Sequence, residues 1–519
     1  MYITPNTNIR ILNNVPLDTT YDHTLYFASA SAQSTYFISK QKYNLTGYTY
    51  QRVKRGVARV GIKSDNLYDC NYMMFQNTNF GNKWFYAFIT SVEYVNNETS
   101  DVFFEIDVMQ TWFFDCELEH CFVEREHSVT DNIGDNIVPE SLATGEYVFN
   151  DYAPLRSAVY NIVLIAIVDL KAAVAGKEYD GIYGGATLYV YESTDTSGIN
   201  QLISQYLEKP DAILSMYLAP RDLLSNGTIP AGHLMPSGQV AAVNPVTAAA
   251  ITKLATLDGY TPKNAKLYTY PYNYYHVDNS SGGELSLRYE FFSNLTPTME
   301  ISGTFTQPVS MMLRPTNYKN VSNDATTGAN TLNTETVSLN NFPMCSWNMD
   351  AYKAWVAQNS VPLAINTVGS LANTAISAAS GGGAASAASG LIGTATNLLS
   401  QVYRASIAAD ICRGNLSNGG VNIARRKQNF FGGRVSVSHE FARMIDDYFT
   451  MYGYAVNRCK VPNTHSRPHW NYVKTVGCTM TGSVPADDMR SICSIYDHGI
   501  TFWKSGSEVG RYDLDNRPS

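Results

Sequence analysis

Alternating apolar and polar positions predict a β-hairpin in the first third of the chain. Apolar residues alternate with polar ones over residues 86–94 and again over 104–112. The polar residues 96–100 between these two runs are typical of a turn. Residues 116–154 lose the alternation and are rich in Asp, Asn, Gly and Pro, so we expect a connecting loop there.

The middle of the chain continues the strand patterns. Residues 161–170 and 186–192 are apolar runs that predict strands, while 199–207 has the spacing of a short helix. Tyrosines share one face over 268–274, and apolar residues alternate with polar ones over 285–291. These last two runs predict adjacent strands of an open antiparallel sheet.

Helical spacing dominates towards the C-terminus. Apolar residues recur every three or four positions over 441–452, which predicts an amphipathic helix. We expect strands over 472–480, then a helix opened by Pro485, and then a strand at 500–503. A helix beginning at Asp350 is predicted to lead into the most unusual stretch of the chain.

That stretch runs from Lys353 to Arg404 and has no charged side chain between these two residues. Ala, Gly, Ser, Thr and Leu fill most of it. Three consecutive glycines, Gly381, Gly382 and Gly383, divide it into two halves. Each half has roughly 20 residues, the length of a helix that spans a hydrocarbon layer of about 30 Å. The pattern predicts a helical hairpin.

Both halves carry an apolar stripe at helical spacing. The residues that we predict to form a membrane-active loop are, besides the three glycines, Leu363, Ile365, Val368, Leu371, Ile376, Leu391, Ile392, Leu398, Leu399, Val402 and Tyr403. Asn, Ser, Thr and Gln interrupt both stripes, which favours conditional insertion over a permanent transmembrane span. A buried helical hairpin in an ordinary core and a flexible small-residue linker are the alternatives.

Composition favours a mainly β protein with some helix. The 519 residues suffice for roughly two to four domains, and 36 Tyr stand against 6 Trp, with 16% charged residues. The net charge of −8 argues against a protein that binds nucleic acid through a basic patch. A negative charge would instead suit a conduit through which DNA slides without binding.

Motifs of enzymes are missing from the sequence. No Gly-rich phosphate loop, G-x-S-x-G elbow or H-E-x-x-H motif occurs. His465 and His469 stand four residues apart, but Pro468 breaks the helix that would direct both to one metal ion. The carboxylates and histidines within residues 117–127 favour a charged surface over an acid–base site. We therefore predict no catalytic residue, no cofactor and no metal site.

The eight cysteines contain no C-x-x-C pair and show no zinc-ligand spacing. The first residues, Met1 to Pro5, do not begin a secretion signal. Together these features predict synthesis in a reducing cytoplasm with free thiols.

Several distinctive stretches bracket most of the chain: DCNY at 69–72, NFGNKWFYAF at 79–88, FEIDVMQTW at 104–112, FVEREH at 122–127, IDDYF at 445–449, YGY at 452–454 and RPHWNY at 467–472. These stretches resemble the tail-knob, or distal tail-tube, proteins of small short-tailed phages of the Salas type. Residues 155–340 contribute little to this resemblance.

The resemblance implies a structural virion protein built of β-barrel or β-sandwich domains of the tail-tube type. Such subunits form a hexameric tube that closes the phage tail, with hydrophobic loops plugging the channel. At the host these loops would insert in the cytoplasmic membrane as a pore for genome ejection. The partners implied are further copies of the chain, other tail proteins (collar or tail tube, appendages, a wall-degrading tail-tip enzyme), membrane lipids and DNA in transit. Assembly would take place in the host cytoplasm and the protein would reside in the virion tail.

We accordingly expect four regions: a β-rich tube domain at 1–150, inserted β-rich domains at 151–345, the helix and hydrophobic hairpin at 346–420, and a C-terminal part at 421–519 that completes the tube domain. Two other functions compete with this hypothesis. A cell-wall-degrading tail enzyme would need convergent carboxylates or a metal in a cleft. A pore-forming toxin that acts alone would normally be secreted.

Overall fold

The computed structural model describes two compact units, each built from separate stretches of the chain. One unit comprises Met1–Ala143, Tyr260–Leu267 and Glu440–Ser519, and the other comprises Thr144–Gly259 and Tyr268–His439. The residues that the structure describes are 6–48, 56–155, 161–167, 177–179, 182–184, 187–192, 213–220, 233–234, 251–280, 282–292, 295–304, 310–316, 318, 337–340, 345–348 and 430–518.

The N-terminal part of the first unit contains a six-stranded sheet. The elements of this N-terminal part are β1 (Thr7–Asn13), β2 (His23–Leu25), α1 (Ala30–Ser39), β3 (Gln41–Tyr48), β4 (Val57–Val60), β5 (Cys70–Asn77), β6 (Trp84–Asn96), β7 (Thr99–Ile106), α2 (Val108–Thr111), β8 (Cys116–Leu118) and β9 (Cys121–Glu126). The order in the sheet is β3-β1-β5-β6-β7-β4. Strands β6 and β7 pair antiparallel up to Asn96 and Thr99, which confirms the predicted hairpin.

This sheet is covered on both faces. In β5, Tyr72 and Met74 pack into one hydrophobic cluster, while Met73 and Phe75 pack into another on the opposite face. The alternation follows from the two-residue period of a strand. Each large apolar side chain buried in this way contributes about 1.5–3 kcal/mol, so the sheet forms the centre of this part of the unit.

The predicted strand over 104–112 is wrong in its second half. Strand β7 ends at Ile106, and Val108–Thr111 form the short helix α2. The buried carboxylate of Asp107 accepts a hydrogen bond from the Gln110 amide at 3.0 Å and caps this helix. Asp107, as the N-cap of α2, therefore ends the strand at a point where the alternation of apolar and polar residues predicts that it continues.

The second unit is built from short strands: β10 (Tyr147–Phe149), β11 (Ala153–Pro154), β12 (Asn161–Ile167), β13 (Lys177–Tyr179), β14 (Ile182–Gly184), β15 (Thr187–Glu192), β16 (Ile213–Pro220), β17 (His233–Leu234), β18 (Asn273–Asp278), β19 (Glu284–Leu287), β20 (Thr298–Thr304), β21 (Ser310–Thr316), β22 (Cys345–Asn348) and β23 (Phe431–Val437). One sheet has the order β10-β23-β18-β19, with β11 also on β23, and another has the order β17-β15-β12-β16-β22. The predicted strands at 161–170 and 186–192 are confirmed as β12 and β15, whereas the predicted helix at 199–207 lies outside the described residues.

Strands β18 and β19 are antiparallel neighbours, as predicted, but β18 lies further along the chain than the tyrosine pattern and β19 is shorter than expected. The tyrosine pattern over 268–274 is not a strand, because β18 begins only at Asn273. Pro271 lacks the N–H group that a ladder requires. Beyond Leu287 the chain turns into a short 3-10 helix at Tyr289–Phe291.

The C-terminal elements are α3 (His439–Tyr452), β24 (Tyr454–Lys460), β25 (Trp470–Val476), β26 (Met480–Gly482), α4 (Ala486–His498) and β27 (Ile500–Trp503). These bounds confirm the predicted helix at 441–452, the helix after Pro485 and the strand at 500–503. A second sheet of the first unit has the order β2-β27-β25-β9-β24. Ile492 and Tyr496 of α4 pack beside Val473 of β25.

The loop expected over 116–154 is wrong where strands form: β8, β10 and β11 lie in this range, and so does β9, the strand between β25 and β24. Lys460 and Glu126 belong to the two paired strands β24 and β9, although more than 300 residues separate them in sequence. The expected class, mainly β with some helix, is confirmed. Apart from its first three residues, the predicted segment 346–420 lies outside the described residues.

Candidate functional site: the strands that flank the charge-free segment and a buried polar junction

The predicted membrane-active loop, Leu363 to Tyr403 with its three glycines, lies outside the described residues. Its nearest described neighbours along the chain are β22, which ends at Asn348, and Phe430, which precedes β23. Among the described residues, every helix is too short or too polar to cross a membrane. The strands on either side of the segment are therefore the described part of this site.

Both flanking strands are paired within sheets of the second unit. Strand β22 is antiparallel to β16, with Cys345 opposite Leu218. Strand β23 lies between β10 and β18, with Val435 opposite both Phe149 and Tyr274. Strands β22 and β23 are thus the hydrogen-bonded strands that lie before and after the segment along the chain.

Two glycines make β23 fit its neighbours closely. A Cβ atom on Gly433 would lie 2.4 Å from the carbonyl oxygen of Asp151 and 3.2 Å from a ring carbon of Phe149. A Cβ atom on Gly432 would lie 2.0 Å from the hydroxyl of Tyr275. Any larger residue would displace backbone or an aromatic ring, so these positions require glycine for space.

An aromatic face covers this sheet; we define it by Tyr147, Phe149, Tyr152, Tyr274 and Phe431. Tyr152 stacks on Phe431 with ring centroids 5.3 Å apart, and Phe149 meets Tyr152 edge-on at 6.0 Å. Tyr147 meets Tyr274 edge-on at 5.6 Å. Phe149 nevertheless remains 51% exposed, so the face is packed within itself and open on its outer side.

In the first unit, a buried polar junction centres on Asp446 of α3. Its side chain is fully buried and accepts hydrogen bonds from the amides of Lys263 and Asn264, at 2.7 and 3.0 Å, and from the Tyr260 hydroxyl at 2.8 Å. The Asn264 side chain adds a further bond at 2.8 Å. A buried carboxylate is tolerated when donors satisfy it in this way. Asp446 thereby ties residues 260–267 to α3.

His127 continues the same junction with a defined tautomer. Its Nδ1 atom accepts a hydrogen bond from the Tyr472 amide at 2.8 Å, so Nε2 carries the proton and donates to the carbonyl oxygen of Thr450 at 3.0 Å. Burial, assisted by the nearby guanidinium of Arg467, lowers the pKa of His127 to about 3. The imidazole is therefore neutral near neutral pH and acts as a structural link.

Arg467 and Asn516 close the junction from the C-terminal side. The buried Arg467 donates from Nε to the Ser128 carbonyl at 3.0 Å and from Nη1 to the Asn516 carbonyl at 3.3 Å. The Asn516 side chain accepts from the amides of His469 and Trp470 at 3.1 and 3.2 Å. The end of the described chain is thus hydrogen-bonded to the RPHWNY stretch.

A buried ion group lies in the same unit. Glu140 forms ion pairs with Arg125 and Lys266, and it accepts a hydrogen bond from the Ala455 amide at 3.1 Å. Burial lowers the pKa of Lys266, while the Glu140 carboxylate acts in the opposite direction. One carboxylate shared by two cations joins three distant stretches of the chain.

The candidate chemistry within 117–127 is dispersed by the fold. Glu126 is buried, forms an ion pair with Lys460 and accepts from the Asn463 amide at 2.8 Å. Glu119 instead accepts from Thr481 at an exposed position. The charged surface expected here is thus wrong for Glu126 and His127, which are both buried.

The two histidines of the HSRPH stretch also have separate partners. His465 stacks on Tyr26 with centroids 4.9 Å apart, while Nδ1 of His469 lies 3.0 Å from a Glu508 carboxylate oxygen. Within the described part of the chain, no three His, Cys, Asp or Glu side chains are placed to hold a metal ion.

The stretches that carried the resemblance meet at the junction: residues 122–127, 445–449 and 467–472 all contribute to it. Sequence reasoning missed Asn264 and Glu140, because neither lies in a recognisable pattern. Their partners are separated from them by up to about three hundred residues.

Two family models match the chain. One describes the C-terminal domain of the tail knob protein gp9 of Bacillus phage phi29 and matches residues 240–517. The other describes the N-terminus of the caudoviral major tail protein and matches residues 5–117.

Relatives and a solved structure agree with these models. The chain is 26% identical to the tail knob protein gp9 of Bacillus phage phi29 and 25% identical to that of Bacillus phage B103, in each case over 98% of both chains. The structure of the bacteriophage C1 tail knob protein, gp12, superposes with a TM-score of 0.65 at 16% identity, covering 98% of this chain and 99% of that one. This last likeness concerns the fold.

Proposed function

The chain belongs to the family of the phi29 tail knob protein, whose C-terminal domain matches more than half of it, and from this premise we propose that it forms the channel-closing end of a phage tail and opens at the host membrane. It is a structural tail protein of a short-tailed phage. In the proposal, a ring of copies, six by analogy with the family resemblance, forms the distal tube. The charge-free segment plugs the bore and later inserts in the cytoplasmic membrane as a pore.

One observation carries the proposal: the charge-free segment from Lys353 to Arg404 lies inside the matched residues 240–517. The match also extends over 98% of both chains for the phi29 relative. The segment therefore occurs within a chain that follows a tail knob protein along nearly its whole length. Its attachment to β22 and β23 would let it move while the β-sheets stay in place.

The side chains of the segment suit two environments. Leu, Ile and Val on the stripes each gain about 1.5–3 kcal/mol when removed from water, whether by neighbouring protein or by lipid. Asn, Ser, Thr and Gln on the other sides would be costly in hydrocarbon unless they face one another or water. Several hairpins around a polar bore satisfy both requirements, which is why the proposal needs an oligomer.

The proposal also covers partners and location. The tube would contact the collar or tail tube, the appendages and a wall-degrading enzyme of the tail tip, and later the host membrane lipids. DNA would pass without sequence-specific binding, since the net charge of −8 disfavours retention of phosphates. Assembly would precede release from the host cytoplasm, and no step in the proposal requires catalysis.

Liposome leakage tests the proposal. Replacing Leu398 and Leu399 by Asp places charges on the apolar stripe, and we expect dye release from liposomes to fall to the protein-free level while ring assembly, seen by electron microscopy, is unchanged. Leu398→Met with Leu399→Met is the matched control and should leak like the unmodified protein. Unchanged leakage in the Asp variant, or no leakage by the unmodified protein under any condition, would overturn the membrane role.

A further inference from the structure

A small cavity lies in the first unit, at the polar junction. Its lining includes four buried residues, His127, Asn264, Arg467 and Asn516. The volume is about 10 Å³, which is enough for one particle of the size of a water molecule. A chloride ion is only slightly larger than water, whereas a sulfate or phosphate ion is much larger. The cavity therefore suits a single small ligand.

The charged side chains that line this cavity are mostly positive. Besides Arg467 they are Lys263, Asp515 and Arg517, which are all about half exposed and so face the solvent side. Arg517 forms an ion pair with Asp515 at 2.6 Å, and Lys263 lies 3.6 Å from an exposed carboxylate that does not line the cavity. Three cations and one carboxylate thus give the lining a positive charge.

Arg467 is the buried charge of this lining, since the residue is only 2% exposed. Its Nε and Nη1 atoms donate to the carbonyl oxygens of Ser128 and Asn516, which carry no full charge. Its Nη2 atom is buried and has no hydrogen-bond partner among the described residues. Within the same part of the chain, no carboxylate forms an ion pair with this guanidinium. Buried charges in proteins are normally paired, so Arg467 has the chemistry to bind an anion.

The pKa values of the junction are consistent with a charge that the chain compensates only in part. Burial lowers the pKa of Arg467, while the nearby Tyr454 hydroxyl and Asp131 carboxylate act in the opposite direction. The Arg467 guanidinium in turn adds to the effect of burial in lowering the pKa of His127. An anion beside Arg467 would offset this positive charge.

We propose that the cavity is an anion site that takes one chloride ion, bound by Nη2 of Arg467 and attracted by Lys263 and Arg517. A hydrogen bond between a guanidinium and an anion is charge-assisted and stronger than one to a neutral acceptor. A water molecule in the same place would leave the guanidinium charge uncompensated. The ion would link residues 514–517 to the RPHWNY stretch. It would stabilise the first unit whether or not the charge-free segment acts on membranes.

Bromide locates the site directly, because it replaces chloride and scatters X-rays anomalously. Crystals of the full-length protein soaked in sodium bromide should show an anomalous peak within hydrogen-bond distance of Arg467. No peak at this position, or density for a water molecule alone, would overturn the proposal.

Thermal melting in solution distinguishes a built site from an adventitious ion. At several times its dissociation constant, chloride should raise the melting temperature by about 2–4 °C over methanesulfonate, an anion too large for the cavity, at equal ionic strength. A bromide peak without a chloride-specific shift would mean an adventitious ion only and would overturn the proposal.

Arg467 also supports the fold, so the diagnostic variant is Lys263→Gln, which keeps the backbone amide that donates to Asp446. It should lose at least half of the chloride-specific shift. Arg490→Gln, which removes an equal charge from an exposed position of α4 that does not line the cavity, is the matched control and should keep the full shift. Equal shifts in the two variants would contradict the assignment.

Discussion

The polar junction of the first unit and the aromatic face of the second are stabilised by different forces. Around Asp446, directional hydrogen bonds join a buried carboxylate to donors from a remote stretch of chain. Around Gly433, close approach of rings and backbone holds a sheet together, and the outer side of Phe149 stays exposed. The junction is therefore sensitive to substitutions that change charge or hydrogen bonding, while the sheet is sensitive to substitutions that change side-chain size. The junction suits a part of the protein that stays fixed, and the sheet suits the strands next to a segment proposed to move.

Among substitutions in the polar junction, we expect Asp446→Ala to lower the free energy of unfolding the most. It removes the acceptor of four donors, among them the amides of Lys263 and of the buried Asn264, so the free energy of unfolding should fall by about 3–5 kcal/mol. Urea denaturation measures the loss. Hydrogen exchange should rise in residues 260–267 and in α3.

The neighbouring Asp447 supplies the control. Its side chain is 53% exposed and lies 3.6 Å from Lys263, so Asp447→Ala should change the free energy of unfolding by less than about 0.5 kcal/mol. Equal effects of the two substitutions would contradict the role given to Asp446.

Gly433→Ala is the matching test of the aromatic side. The added methyl group would lie 2.4 Å from the Asp151 carbonyl oxygen, which is backbone and cannot rotate away. We expect the free energy of unfolding to fall by about 1–3 kcal/mol, with faster hydrogen exchange in β18 and β23 and none of the exchange changes expected for Asp446→Ala. Ser286→Ala, on the exposed side of β19, is the control and should be neutral. An unchanged free energy of unfolding in Gly433→Ala would contradict the requirement for glycine at this position.

Mild acid should weaken the junction through His127. Its pKa is about 3 in the folded protein and about 6.5 when unfolded, so the unfolded chain takes up the proton first. Stability is then lost as pH falls from about 6.5 to 3, by at most about 1.4 kcal/mol per pH unit. Asp107, with its pKa raised to about 6 by burial, acts in the opposite direction below pH 6. Comparison with His127→Gln isolates the histidine: its slope against pH should be flatter, and an identical slope would contradict the assignment.

Local patterns predicted the elements whose own residues determine them. Three elements could be predicted from a few of their own residues. They are the helix over 441–452 from its apolar stripe, α4 from Pro485 before it, and the strand at 500–503 from its apolar run. The sequence also indicated the class, mainly β, because tyrosine and β-branched residues suit pleated surfaces.

Elements determined by distant partners were missed. Strand β9 contains Glu124, Arg125 and Glu126, which resemble an exposed loop until Lys460 and Lys474 come to lie beside them. Likewise, no pattern in the sequence near Asp446 indicates that Asn264 is its hydrogen-bond partner. The stretches of the junction could be found only through the family resemblance, since no periodicity connects them.

The central claim is that a β-rich ring holds the charge-free segment in its bore. Electron microscopy of the purified protein, compared with a variant whose residues 355–402 are replaced by a short Gly/Ser linker, tests this claim most directly. We predict six-fold tubes in both preparations, with a blocked bore in the first and an open bore in the second. A compact monomer, or a bore that is equally blocked in both, would contradict the account.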